Sequence, residues 1–142
     1  MALPQGRKKT AERPELTVIT KAKKLMEYTF TITNSENRFP KKIRYSLVQK
    51  IQDLSMEIVE SLYYANDTGT FNEQERAFRR RYQKQALTKC NILMALAEFS
   101  YNREYINVKS LEYWSGLIRD VRILGASWLK AENARHNKAQ DN

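Results

Sequence analysis

The 142-residue chain is poor in residues that turn a backbone, with 4 Gly and 3 Pro. A many-stranded β fold needs a tight turn between successive strands, so this scarcity argues against one and for long helices. A single cysteine, Cys90, excludes an internal disulfide and fits a reducing compartment. It lies in an apolar run, so a buried and inert thiol is expected. The single histidine, His136, sits in a polar C-terminal stretch, too isolated for a Ser-His or Cys-His pair. It also cannot supply the two Glu-x-x-His pairs of a di-iron bundle. Gly69 and Gly125 stand alone, so no Gly-rich phosphate loop is present. Catalysis, a metal and a cofactor are therefore not expected. No run approaches the about 18 apolar residues of a membrane span. "MALPQGRKKT" lacks the apolar core of a secretory leader. These readings predict a soluble, cytoplasmic protein with no membrane partner.

What the chain has in excess is positive charge. It holds 25 Lys+Arg against 16 Asp+Glu, a formal net charge of +9. That imbalance favours anionic partners, nucleic acid before acidic membrane surfaces.

Hydrophobic periodicity predicts four helices. After a basic tail over residues 1–14, Val18, Ala22, Leu25, Thr29 and Ile32 recur at helical spacing, with Ile19, Met26 and Phe30 widening the stripe. "ENRFPKK" makes a turn, and Pro40 opens a second helix carrying Ile43, Leu47, Ile51, Leu54, Ile58 and Leu62. "NDTGTFN" turns the chain again, and Asn72 with Glu75 reads as a cap for a third helix over roughly 73–103. A fourth helix over roughly 108–131 carries Leu111, Trp114, Leu117 or Ile118, Val121, Leu124 and Trp128. The stretch 132–142 has no apolar stripe and is expected to fray. Four amphipathic helices joined by short turns predict one all-α domain over 15–131, an up-down-up-down four-helix bundle.

The third helix changes character along its length. Its first half contains "RAFRRRYQK", residues 76–84, with five positive charges, and no acid occurs from Arg76 through Ala97. A solvated helix face normally mixes signs, because like charges four residues apart repel. With Phe78, Tyr82 and Ala86 facing the core, Arg76, Arg80 and Lys84 form one outward ridge flanked by Arg79 and Arg81. A phosphate backbone would offset the repulsion and release counterions, so these five are candidate contacts to RNA or DNA with low sequence preference. Lys23 and Lys24, and the group Lys41, Lys42 and Arg44, are candidate extensions of the basic surface. Tyr63, Tyr64, Tyr101 and Tyr105 are candidate base-stacking groups, though core or interface positions are the commoner fate of such tyrosines. In the second half, apolar residues from Leu87 to Phe99 wrap the whole cylinder. Burial on several sides suggests a subunit interface, with Leu87, Met94 and Phe99 as candidate contacts.

The stretch "RFPKKIRYSLVQKIQDLSMEIVESLYYAN" resembles the four-helix-bundle family related to the protein encoded in intervening sequences of 23S ribosomal RNA genes. Its marks are the Phe-Pro turn, Arg44-Tyr45-x-Leu47, and Gln49-x-x-Gln52 around Ile51. Within that family, "YWSGLIRDVRILGASWLKA", with Gly125 and Trp128 near its end, is similar to accessory variability proteins of diversity-generating retroelements. This resemblance, over about residues 15–131, implies a homopentameric barrel of four-helix bundles. It further implies nucleic-acid binding with little sequence preference, and association with a reverse transcriptase that copies template RNA into mutagenised cDNA. The candidate binding residues rest on charge, not on a family motif. The alternative is a bundle of the intervening-sequence type with a structural or RNA-associated role.

Overall fold

The computed structural model describes residues 13–35 and 37–140. Residues 1–12 of the expected basic tail lie outside the described residues. Among those described, the chain is helical with no strand: α1 (Pro14–Thr33), α2 (Gln49–Asp67), α3 (Glu73–Asn102) and α4 (Val108–Gln140). A 3-10 turn over Lys41–Ile43 and a π turn over Arg44–Val48 lead into α2. That wider turn lets consecutive Leu47 and Val48 both enter the core while Tyr45 stays outside.

Each helix neighbours the next, and α1 closes against α4, so the four form a square with α1 diagonal to α3. Cross-helix contacts run in opposite senses along every neighbouring pair. Lys23 meets Tyr63 and Thr33 meets Gln52 between α1 and α2. Arg79 reaches Ala65, and Lys89 reaches Glu57, between α2 and α3. Arg79 meets Glu132 and Asn91 meets Arg122 between α3 and α4. The topology is therefore up-down-up-down.

The core is the set of stripes that periodicity predicts on α1, α2 and α4. Val18, Ala22, Leu25 and Ile32 are buried, as are Ile51, Leu54, Ile58 and Leu62 on α2 and Trp114, Ile118, Val121 and Trp128 on α4. Thr29 sits among them without leaving a polar group stranded. Its Oγ1 donates to the Leu25 carbonyl at 2.7 Å and accepts the Trp114 indole N–H at 3.0 Å. The predicted cap on α3 also forms: Asn72 Oδ1 accepts from the Glu75 amide at 2.8 Å, while Glu75 Oε2 accepts from the Phe71 amide at 2.9 Å.

Two expectations are corrected here. The inner face of α3 does not begin with Phe78 and Tyr82. It runs Arg79, Gln83, Ala86, Cys90, Leu93 and Ala97, leaving Phe78 exposed and Tyr82 half-buried. Nor does the fourth helix end at about residue 131, because α4 continues to Gln140. Glu132 anchors that extension with a buried carboxylate where an apolar residue would ordinarily serve.

Candidate nucleic-acid interface

The crowded arginines divide into two sets with different surroundings. Arg79 is drawn inward and is only 9% exposed. Its Nε donates to Glu132 Oε1 at 2.9 Å, and its Nη1 donates to the carbonyls of Ala65 and Thr68 at 3.2 and 3.0 Å. Those carbonyls end α2 and have no partner within their own helix, so a cation there both caps and complements the helix dipole. The guanidinium also lies 5.1 Å from the centre of the Trp128 ring. Arg79 thus ties α2, α3 and α4 together, and it does not belong to the outer basic surface. Sequence alone places it outside because charge is normally solvated.

The second set faces outward. Lys84 and Arg81 are exposed, and Arg80 is partly buried. These three share a groove of about 510 Å³ along the outer side of α3 with Ala77, Lys89 and Ile92. Arg81 lies over the exposed Phe78 ring at 5.6 Å, which holds the guanidinium against the surface. Arg76 is partly buried, and its Nη1 donates to the Thr70 carbonyl at 3.0 Å, so it steadies the α2–α3 turn as well as adding charge. Residues four apart on a helix advance about 6 Å, so Arg80 and Lys84 offer successive cations along one line. Among the described residues, two cations of the acid-free run pair with an acid from a neighbouring helix: the inward Arg79 with Glu132, and Lys89, whose Nζ lies 3.8 Å from Glu57.

Sequence reasoning missed one contributor. Arg122 on α4 is exposed and donates to Asn91 of α3 at 3.3 Å, which brings its charge to the α3–α4 seam. Its position directly after the core residue Val121 was the available signal. The other proposed extensions do not join this surface. Lys41, Lys42 and Arg44 sit at the start of α2, the end of the bundle opposite the first turns of α3. Lys23 and Lys24 are exposed on α1, the helix diagonal to α3, and Lys23 Nζ lies 5.5 Å from the Tyr63 ring centre. The structure therefore separates the candidate cations into three places.

The candidate interface residues also divide. Leu87 is half-buried and lies against α4, since a Cβ on Gly125 would stand 3.0 Å from its Cδ2. Gly125 is thus where α3 and α4 approach closely. Met94 packs against the core. Phe99 remains exposed at 47%, and Ile92 one heptad earlier at 41%. Of the candidate stacking tyrosines, Tyr64 is stacked on Tyr82 at 5.2 Å and Tyr105 packs at 5.6 Å against Phe39. Cys90 is buried, and burial pushes its thiol up to about 12 against the opposing pull of Arg122. Among the described residues, no group of three His, Cys, Asp or Glu could hold a metal ion. No helix among them is long and apolar enough to cross a membrane.

No family model, curated protein or solved structure matches the chain.

Proposed function

We propose that this protein binds nucleic acid through the outer face of α3, with Arg80, Arg81 and Lys84 contacting phosphates and Arg76 and Arg122 extending the field. The observation that carries this reading is the exposed cation groove on a helix face that contains no acid from Arg76 through Ala97. Held on a rigid helix, these side chains need no folding to meet a phosphate backbone, and each contact releases condensed counterions. Contacts to phosphate carry no base information, so low sequence preference follows.

The resemblance to the intervening-sequence family extends the proposal. In it, the chain is a non-catalytic accessory protein of a diversity-generating retroelement that joins a reverse transcriptase on its template RNA and cDNA. Assembly as a homopentameric barrel belongs to the same proposal, and exposed Ile92 and Phe99 are apolar surface that such an assembly would cover.

The decisive variant is Arg80→Glu, Arg81→Glu and Lys84→Glu together. Its helicity should match wild type while RNA and DNA binding in an electrophoretic or polarisation titration disappears. Unchanged affinity would refute the groove as the binding surface. The retroelement role is tested separately in the genome. A reverse transcriptase gene with paired template and variable repeats should adjoin this gene, whereas a position within a 23S ribosomal RNA gene would favour the intervening-sequence reading.

A further inference from the structure

At the end of the bundle farthest from the arginine groove, the α3–α4 turn and Arg38 of the α1–α2 connection border a solvent-open cavity of about 600 Å³. That is within the range that holds a small organic ligand. Arg38, Tyr101, Glu104 and Tyr105 line it. Tyr105 is fixed by its contact with the fully buried Phe39, and Tyr101 is 39% exposed with its ring free of another aromatic partner among the described residues. Arg38 is anchored through one nitrogen, with Nη1 donating to Ser110 Oγ at 3.0 Å, and the rest of its guanidinium fork remains available. Asn107 also lines the cavity, but its side-chain oxygen is spent on the Ser110 amide at 2.8 Å.

Glu104 is the decisive residue. Its φ of 64° is the one positive value outside glycine among the described residues. The turn that ends α3 shows why. The Glu104 amide donates to the Tyr101 carbonyl and the Tyr105 amide to the Ser100 carbonyl, a closing arrangement whose left-handed position ordinarily takes glycine. A glutamate there works against the fold. Among the described residues it neither forms an ion pair nor meets Arg38, although both line one cavity. A carboxylate and a guanidinium facing one cavity unpaired, beside two tyrosines, are four recognition groups without a structural duty for the carboxylate.

We propose that this cavity binds a guanine nucleotide. A carboxylate has two oxygens, which match the adjacent N1–H and N2–H donors on the edge of guanine. Adenine and uracil lack that pair of donors, and cytosine offers a single amino group. A tyrosine face stacks the base, and the free part of the Arg38 fork takes the phosphate. The same chemistry is presented by free GMP or by an unpaired guanosine in single-stranded RNA. This site shares no residue with the α3 groove, so it stands or falls without it.

The test is calorimetric titration of the full chain with GMP, AMP, CMP and UMP. GMP should saturate one site per chain, with the other three weaker by about tenfold or more, the loss expected when charge-assisted hydrogen bonds go unmade. Glu104→Gly should raise the melting temperature, because glycine suits the left-handed position, and yet lose GMP affinity by about tenfold or more. Arg38→Gln should weaken GMP more than guanosine. A single-stranded oligonucleotide with one unpaired G that displaces GMP assigns the site to RNA, and GMP binding without displacement assigns it to the free nucleotide. No saturable nucleotide binding, equal binding of all four, or wild-type GMP affinity in Glu104→Gly would overturn the proposal. Because Arg80→Glu/Arg81→Glu/Lys84→Glu leaves these residues intact, that variant should still bind GMP.

Discussion

Arg79 and Glu132 meet at 2.9 Å inside the bundle, with Glu132 only 4% exposed. The pair joins the first turns of α3 to the last turns of α4, and Arg135 adds a second contact to Glu132 at 3.4 Å. Removing Arg79 leaves the buried Glu132 with only the longer contact from the largely exposed Arg135, and removing Glu132 leaves the buried Arg79 with carbonyl partners alone.

Arg79→Met is therefore expected to lower unfolding free energy by about 3–5 kcal/mol. Urea denaturation should show it, along with diminished protection from hydrogen exchange in α4 beyond Glu132. Arg79→Met with Glu132→Leu should recover much of the stability, because both charges are gone. In material kept folded, neither change should alter nucleic-acid affinity, since Arg79 does not reach the outer surface.

Salt dependence separates the outer cations. Arg81→Ala or Lys84→Ala should flatten the slope of log affinity against log salt by about 0.7–0.9 for each phosphate that is no longer neutralised. For a ligand too short to span the bundle, Lys41→Ala and Lys42→Ala should leave that slope unchanged, because they lie at the opposite end. Affinities measured across a salt series give both slopes directly.

Thr29 is a core residue kept polar by its partner. Thr29→Val preserves shape but leaves the Trp114 indole N–H unpaired in the interior, which should cost about 1–3 kcal/mol. Thr29→Ser keeps the hydroxyl and should recover the hydrogen-bond share of that cost. Thermal unfolding of the two variants side by side measures the difference.

Burial of Cys90 makes a pH prediction of definite sign. Its thiol titrates at about 12 in the folded chain against 9.0 ordinarily. Between those values the unfolded chain has released a proton that the folded chain retains, so stability falls as pH rises through that window. Below it the thiol is protonated in both states and adds no pH dependence. The difference in stability between wild type and Cys90→Ala, followed across that range, isolates this contribution from lysine and tyrosine titrations. In native protein at about pH 8, a thiol reagent should react slowly, and unfolding should restore the ordinary rate.

The stripes on α1, α2 and α4 are readable in the sequence because their inward positions are mostly apolar and repeat at the helical period. The inner face of α3 is not, since two of its first inward positions are Arg79 and Gln83. A rule that sends charge outward rotates that helix toward Phe78 and Tyr82. The acceptors that draw Arg79 inward lie at the end of α2 and on Glu132, which is 53 residues away. The polar stretch after residue 131 conceals its role for the same reason, since Glu132 is an anchor only once Arg79 is placed beside it.

The sequence by itself determined the helical class, the number of helices, most of their core stripes, the cap at Asn72 and the excess of positive charge. These follow from local propensity and periodicity, which act within a few residues. Tertiary structure alone decided which arginines are structural and which face outward, because each assignment depends on neighbours brought from distant helices. It likewise placed Lys41, Lys42 and Arg44 at the end of the bundle opposite the first turns of α3. It also brought Arg38 and Glu104 to one cavity at that end. Charge can be counted along a chain, but its partners are set only when the chain is folded.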